Sequence, residues 1–267
     1  MVTGLDVVVG DLGYRHPEPK VGARPCDPVT LDPAHLAANG ICALDHLDAR
    51  SRSFILLRTQ IMNGFFASGG RIMAVTSTQP GNGKTFVATN LAMAISRVHP
   101  VVLIDLDLAK PALGSRLGLE PHAGVDDYLA GAAPLPLCRQ EVDELRLSVL
   151  PVRQRRLDPA GLLSGDRFAT LFPALADPEG DPVFIVDSPP TLAIDEILAI
   201  GSSVEGVLMV VEEGQTHADE LQEAMALLEP RPIIGTVLNK SIGGIFRRRK
   251  KNYYYGERLL LPSEVQP

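Results

Sequence analysis

The sequence contains little cysteine and no long hydrophobic run. Its three cysteines, Cys26, Cys42 and Cys138, have neither the spacing of a disulfide framework nor that of a metal cluster. We therefore expect unpaired thiols in a reducing cytoplasm. No stretch approaches the roughly 18 apolar residues needed to cross a bilayer, and the N-terminus lacks the basic flank and apolar core of a signal peptide. These absences predict a cytoplasmic chain that is soluble on its own.

Positive charge is also scarce, and it is concentrated near the C-terminus. The chain has 25 Lys and Arg against 32 Asp and Glu, which gives a net charge of −7. Five of the cations form one run at residues 247–251. The remaining body is acidic, which argues against general nucleic-acid binding. The basic run is either a solvated tail or a segment that favours an anionic membrane surface, so peripheral membrane contact stays open.

Composition divides the chain into three parts. Residues 1–45 contain several prolines and are predicted to form a flexible arm, although Asp32-Pro33 has the pattern of a helix cap and first turn. Residues 46–241 are predicted to form one folded domain of about the usual size. Residues 242–267 form a basic, tyrosine-rich tail.

From residue 71 onward, apolar strands alternate with helical segments. This alternation predicts an α/β domain with a mostly parallel sheet and helices on both faces. In such sheets, ligands bind at the carboxyl ends of the strands. The expected strands are 71–77, 101–105, 147–151, 182–187, 205–211 and 232–238, and the expected helices are 84–97, 165–176, 192–200 and 216–228.

A phosphate-binding loop follows the first of these strands. Residues 78–85 read Thr-Gln-Pro-Gly-Asn-Gly-Lys-Thr, with a threonine in place of the usual first glycine. Glycines at 81 and 83 let successive backbone N–H groups converge on phosphate oxygens at the start of a helix. Lys84 adds a positive charge and Thr85 a hydroxyl for Mg²⁺. The segment predicts nucleotide binding.

Carboxylates and an amide follow three further strands. Asp105 and Asp107 stand in Asp-Leu-Asp, and Asp187 opens Asp-Ser-Pro-Pro. A lone aspartate at a strand end is usually a turn former, but three after a phosphate loop favour chemistry on a magnesium-bound nucleotide. Asn239, at the end of the last strand, is either a contact to the nucleotide base or a turn former.

Three of the five tyrosines are adjacent, at Tyr253, Tyr254 and Tyr255. Adjacent tyrosines next to glycine and charge follow neither a strand face nor a helix face, so burial of all three is not expected. They are therefore predicted to be presented at the surface. An edge strand or an aromatic docking patch for a partner is the alternative.

Taken together, these motifs resemble the cytoplasmic bacterial tyrosine kinase family of capsular and exopolysaccharide assembly. This family lies within the MinD/ParA-like P-loop NTPases with a deviant Walker motif. The resemblance is carried by residues 79–85, 103–108 and 185–190 and by the tyrosine cluster. Gln79 stands where the partition and septum-placing relatives have a second lysine, which favours the kinase branch.

The resemblance implies an ATP-dependent protein-tyrosine autokinase that regulates polysaccharide polymerisation and export, with ATP and Mg²⁺ as cofactors. Catalysis would involve Lys84 with Asp105 or Asp107, and Mg²⁺ would be held by Thr85, Asp105 and Asp187. The acceptors would be Tyr253, Tyr254 and Tyr255 of a neighbouring subunit. The nucleotide would be bound by Gln79, Pro80, Gly81, Asn82, Gly83, Lys84, Thr85, Phe86 and Asn239.

The resemblance also implies partners. A membrane polysaccharide co-polymerase would be a separate, activating chain at the inner face of the cell membrane, and self-association would allow phosphorylation between subunits. Nucleic acid is not among the expected partners.

Two departures from the family pattern weaken the kinase interpretation. Ala109 occupies a position where the family commonly has arginine, and the neighbouring Lys110 cannot make bidentate contacts. The oligomerising Glu-x-x-Arg-x-x-Arg motif is reduced to Arg58, so a ring of Glu–Arg contacts is not assumed, and Phe54, Leu57 and Ile61 could make an apolar contact between subunits instead. A non-kinase ATPase switch that positions a membrane-associated partner, and an ATP-binding pseudokinase, therefore remain as alternatives.

Overall fold

The computed structural model describes residues 28–45, 47–177, 180–193 and 196–241. The predicted acceptors Tyr253, Tyr254 and Tyr255 and the basic run at 247–251 lie outside the described residues. Among the described residues, none of the helices has both the length and the apolar character that a bilayer crossing requires.

One seven-stranded sheet forms the centre of the described part of the chain. Its strand order is β3-β4-β2-β5-β1-β6-β7, and every neighbouring pair is parallel except β3 with β4. The predicted mostly parallel sheet is confirmed. The strands are β1 Ile72–Ser77, β2 Val101–Asp105, β3 Gln140–Val142, β4 Leu147–Leu150, β5 Val183–Asp187, β6 Gly206–Glu212 and β7 Ile233–Asn239.

Helices cover both faces of the sheet. Successive residues of one strand enter different hydrophobic clusters, as Leu103 and Ile104 of β2 do, because side chains alternate between the faces. The helices are α1 Pro33–Ala38, α2 Ser51–Ile61 followed by a π-helical turn Met62–Phe66, α3 Lys84–Ser96, α4 Leu113–Leu117, α5 Val125–Leu129, α6 Leu135–Cys138, α7 Pro159–Leu163, α8 Asp166–Ala169, α9 Leu171–Leu175, α10 Glu196–Gly201 and α11 Ala218–Leu228.

Two predicted elements differ in detail from the structure. The helix expected over 165–176 is divided into α8 and α9. Pro173 cannot donate a hydrogen bond to the carbonyl of Ala169, where α8 ends, and its ring crowds that carbonyl. The antiparallel edge strand β3 was not expected, because its three residues are too few to show a periodic pattern.

Residues 28–45 correct the predicted boundary of the flexible arm. Leu36, Ile41 and Cys42 are buried in the hydrophobic core, and Val29 bridges to Val142. For residues 28–45, the expectation of a flexible arm is therefore wrong.

Asn90, which is fully buried in the middle of α3, explains this packing. Its Oδ1 accepts hydrogen bonds from the backbone N–H groups of Cys42, at 2.8 Å, and Ala43, at 3.0 Å. Its Nδ2 donates to the carbonyl of Gly40 at 3.2 Å. A buried amide needs such partners, and these hydrogen bonds hold residues 40–43 against α3.

The apolar residues of α2 face the core of their own subunit. Phe54 and Ile61 are 7% and 5% exposed, and the Phe54 ring packs edge-on against Phe86 with centroids 5.5 Å apart. The expectation that they make an apolar contact between subunits is wrong, because burial against α3 already uses their surface. Leu57 is half-buried, and Arg58 donates a hydrogen bond to the carbonyl of Ala94 at 3.3 Å.

Candidate active site

The phosphate-binding loop joins β1 to α3 and is held closed by one of its own side chains. Oδ1 of Asn82 accepts hydrogen bonds from the backbone N–H of Gln79, at 3.0 Å, and from the hydroxyl of Thr78, at 3.3 Å. Gly81 and Gly83 have φ angles of 90° and 97°, which favour glycine. The loop is therefore preformed, with α3 beginning at Lys84.

Asn239 braces this loop from the end of β7. Its Nδ2 donates a hydrogen bond to the carbonyl of Asn82 at 2.8 Å. A β-carbon at position 83 would collide with the same Nδ2, so glycine is required there by contact as well as by φ. The structure thus shows a supporting role for Asn239, and its predicted contact with a nucleotide base stays a prediction.

Lys84 meets two of the three predicted carboxylates. Its Nζ lies 2.6 Å from Oδ2 of Asp107 and 3.6 Å from Oδ1 of Asp187. Burial alone would lower the pKa of Lys84, but attraction to Asp187 and Asp107 outweighs burial and raises the pKa above its usual value. The ammonium group is therefore charged, and the two carboxylates hold it next to the phosphate-binding loop.

Asp187 is the least satisfied polar group of the site. It is fully buried, and neither carboxylate oxygen has a hydrogen-bond partner among the described residues. Burial raises the pKa of Asp187, while the Lys84 ammonium and the Thr85 hydroxyl beside it act in the opposite direction. Because no described donor is within hydrogen-bond distance and the Lys84 ammonium stays 3.6 Å away, these oxygens can accept a further cation.

Asp105 has a different environment, although it lies opposite Asp187 in the register of β2 and β5. Its Oδ1 accepts a hydrogen bond from the N–H of Asp107 at 3.1 Å, and its Oδ2 accepts from those of Ala112, at 3.3 Å, and Leu113, at 3.1 Å. Burial, followed by repulsion from Asp187, raises the pKa of Asp105 well above its usual value. In this conformation Asp105 holds the loop that precedes α4.

A cleft of about 310 Å³ opens beside Lys84. It lies between the start of α3 and the loops that follow β2 and β5. Arg116 and Ala193 were not expected there, since Arg116 belongs to no motif and comes to the cleft through the position of α4. The lining residues are Pro80, Gly81, Gly83, Lys84, Thr85, Phe86, Asp107, Ala109, Lys110, Arg116, Pro190 and Ala193.

Comparison with known proteins identifies the fold family of this site. Residues 73–244 match the model of the CobQ/CobB/MinD/ParA nucleotide binding domain, which covers more than half of the chain. The chain belongs to this nucleotide-binding family. The preformed loop of residues 78–85 lies within the matched range.

Within the family, the chain is similar to bacterial tyrosine kinases. It is 30% identical to tyrosine-protein kinase wzc of Salmonella typhimurium over 75% of its own length, but over only 27% of that protein. The chain thus spans about a quarter of the length of this relative. It is 29% identical to tyrosine-protein kinase YwqD of Bacillus subtilis, over 84% of the chain and 93% of YwqD.

A solved structure shows the same relationship. The kinase domain of Escherichia coli tyrosine kinase ETK is 30% identical to the chain and superimposes with a TM-score of 0.68. The match covers 74% of this chain and 79% of that domain. This nucleotide-binding domain therefore lies in the tyrosine-kinase branch of its family.

The oxygen ligands of the site fit Mg²⁺. No group of three or more His, Cys, Asp or Glu residues in the described ranges could hold a metal ion by itself. Mg²⁺ is usually held by one or two carboxylates together with water and substrate phosphates, so a dense cluster is not required. The partnerless oxygens of Asp187, with the Thr85 hydroxyl beside them, provide the hard oxygen ligands that Mg²⁺ prefers.

Proposed function

We propose that the chain is an ATP-dependent protein-tyrosine autokinase that regulates polysaccharide polymerisation and export. The observation that carries this proposal is that Asp107 and Asp187 both lie beside the ammonium group of Lys84, which lines a cleft next to the preformed phosphate loop. The similarity to bacterial tyrosine kinases supports phosphoryl transfer as the reaction.

When ATP binds, its phosphate oxygens would replace Asp107 as the partner of the Lys84 ammonium. In the described conformation, the ammonium group pairs with Asp107 at 2.6 Å. Phosphate oxygens of ATP compete for this ammonium, while backbone N–H groups of the loop and the start of α3 hold the phosphates. Binding therefore releases Asp107 at the wall of the cleft.

The released Asp107 is suited to orient the acceptor hydroxyl. Asp105 is the less suitable carboxylate, because three backbone N–H groups already bind its two oxygens. The tyrosine oxygen bonds to the γ-phosphorus as the bond from that phosphorus to the bridging oxygen breaks, ADP leaves, and the hydroxyl proton passes to Asp107. A neutral tyrosine, with a pKa of about 10, needs mainly positioning in such a loose transition state.

Thr85 and Asp187 would hold Mg²⁺. When bound there, the ion would supply positive charge next to the β- and γ-phosphates. The residues of the chain contribute orientation, since Thr85 stands at the second position of α3 and Asp187 at the last position of β5.

The acceptors would be Tyr253, Tyr254 and Tyr255. They lie 14 to 16 residues beyond Asn239, and a chain of 14 residues spans at most about 50 Å. This length reaches a cleft in the same subunit or in a neighbour. We propose transfer between self-associated subunits, activated by a separate membrane co-polymerase at the cytoplasmic face of the membrane.

Phosphate mapping after incubation with Mg²⁺, ATP and the activator tests the reaction. We expect label on Tyr253–Tyr255 that is lost in Lys84→Met, whereas the matched change Lys240→Met, on the other side of the loop, retains it. ATP hydrolysis without phosphotyrosine would favour the ATPase switch, and ATP binding without either reaction would favour the pseudokinase.

A mixture of two variants tests transfer between subunits. One variant carries Lys84→Met and keeps its tyrosines, and the other has Phe at residues 253, 254 and 255 but an intact site. Label on the Lys84→Met chains shows transfer between subunits. Unlabelled chains in the mixture, together with a labelled wild type, would show that each subunit phosphorylates itself.

A further inference from the structure

Two cations of the cleft have no carboxylate partner among the residues that the structure describes. Lys84, Lys110 and Arg116 all line the cleft, and Lys84 is paired with Asp107. Among the described residues, no carboxylate oxygen lies within 4.0 Å of the charged nitrogens of Lys110 or Arg116. The cleft therefore offers positive charge that no carboxylate in the described part of the chain neutralises.

Arg116 is held in place by one of its donors, which leaves the others available. Its Nη1 donates a hydrogen bond to the carbonyl of Asn39 at 3.2 Å. The ring of His35 also bonds the carbonyl of Ser115 at 2.8 Å, so α1 and α4 are joined beside the arginine. A guanidinium group has five N–H donors in a planar fork, and this fork matches the geometry of phosphate oxygens.

The strand order indicates which phosphate these cations would meet. The phosphate loop follows β1, and β6 and β7, which ends at Asn239, lie to one side of it. The ends of β5 and β2, with Asp107 and Lys110 beyond them, lie on the other side. Beyond the phosphate loop and the start of α3, the lining of the cleft comes from α4 and from the loops after β2 and β5, on the side away from β7. With the nucleotide base at Asn239, as the sequence predicts, the end of the phosphate chain would point into this cleft.

We propose that Arg116, with Lys110 beside it, binds the terminal phosphate of ATP. The methyl group of Ala109 lines the same cleft and supplies no charge, so Arg116 provides the guanidinium group from a different element of the fold. This inference deepens the proposed function and rests on it. Its consequence is that Arg116 distinguishes ATP from ADP, which lacks the terminal phosphate.

Calorimetric titration of the full chain with ATP and with ADP, each with Mg²⁺, tests this inference. We expect Arg116→Ala to weaken ATP binding by about tenfold or more, the loss of one charge-assisted contact, and to weaken ADP binding by less than about threefold. Arg116→Lys keeps the charge without the fork and should lie between the two. The exposed Arg146, before the amino end of β4, gives a matched control, since Arg146→Ala should change neither affinity.

A second-site change separates phosphate binding from structural support. Arg116 also holds the carbonyl of Asn39, so general damage to the site would weaken both nucleotides alike. Ala109→Arg in the Arg116→Ala background restores a guanidinium group to the cleft and should recover the preference for ATP.

Either of two results contradicts the inference: equal losses for ATP and ADP in Arg116→Ala, or no loss for either. Both results leave nucleotide binding by the wild type, and hence the proposed function, intact. A wild-type chain that binds neither nucleotide would instead overturn the proposed function itself.

Discussion

Without nucleotide, the variant Asp187→Asn should be more stable than the wild type. With nucleotide bound, it should be less stable than the wild type. The carboxylate is fully buried, its oxygens have no hydrogen-bond donor among the described residues, and Lys84 lies 3.6 Å away. An asparagine of the same shape removes the buried charge. Lys84 is not left alone, because Asp107 stays at 2.6 Å.

The size of the effect follows from the cost of burying a poorly paired charge. An unsatisfied buried polar group costs about 1–3 kcal/mol, and a charged one costs more. The amide of Asp187→Asn would also lack partners, so we expect a net gain of about 1–2 kcal/mol in the free energy of unfolding. For a domain of this size, that gain raises Tm by about 2–8 °C.

With Mg²⁺ and ATP bound, the wild type should become more stable than the Asp187→Asn variant. A ligand at 100 times its Kd stabilises the fold by about 2.7 kcal/mol. The wild type should gain an amount of this order, whereas Asp187→Asn, with one proposed metal ligand removed, should lose most of the gain. Thermal melts with and without Mg²⁺ and ATP measure both effects.

The pH dependence gives an independent check. Burial raises the pKa of Asp187 above its usual 3.8, so the unfolded chain releases this proton at lower pH than the folded protein does. The wild type therefore loses stability as pH rises from about 3.8 through the raised pKa, and Asp187→Asn lacks this loss. The advantage of the variant should be absent in acid and complete above the raised pKa.

A matched variant controls for the change of residue type. Asp181 pairs with Arg71 at 2.9 Å but is 61% exposed, so Asp181→Asn should change the free energy of unfolding much less than Asp187→Asn does. An Asp187→Asn variant that is less stable than the wild type without nucleotide at neutral pH would show that the buried carboxylate does not destabilise the fold.

Two further predictions concern the surroundings of the site. Asn90→Ala removes the partners of the backbone at residues 40–43 and should lower the free energy of unfolding by about 2–4 kcal/mol in urea titration; a loss below about 0.5 kcal/mol would show that the segment packs independently. Gly83→Ala should weaken nucleotide binding in titration, with partial recovery when Asn239→Ala removes the collision and leaves only the strain at φ 97°. Full recovery would mean that the φ angle is unimportant.

Features that depend on neighbouring residues were predictable from the sequence. The alternation of strands and helices reports local backbone preference, and it predicted the parallel sheet. Asp107 and Asp187 were expected near Lys84 because the carboxyl ends of parallel strands meet at one edge of the sheet. The phosphate loop was recognisable because its glycines and lysine act within a few residues of one another.

Features that depend on distant residues needed the tertiary structure. Asn90 lies about 50 residues from the segment that it retains, and the burial of Phe54 and Ile61 depends on the position of α3. A pattern of neighbouring residues in the sequence does not predict such contacts between distant residues.

The type of fold and the chemical groups of the site were therefore predictable from the sequence, since both follow from local backbone preference and from strand ends that share one edge of the sheet. How those groups are used depends on the tertiary packing. In the structure, backbone N–H groups bind the carboxylate of Asp105, no described donor lies within hydrogen-bond distance of Asp187, and α4 brings Arg116 to the cleft. Each of these outcomes depends on which donors packing brings within hydrogen-bond distance, and packing joins residues far apart in the chain.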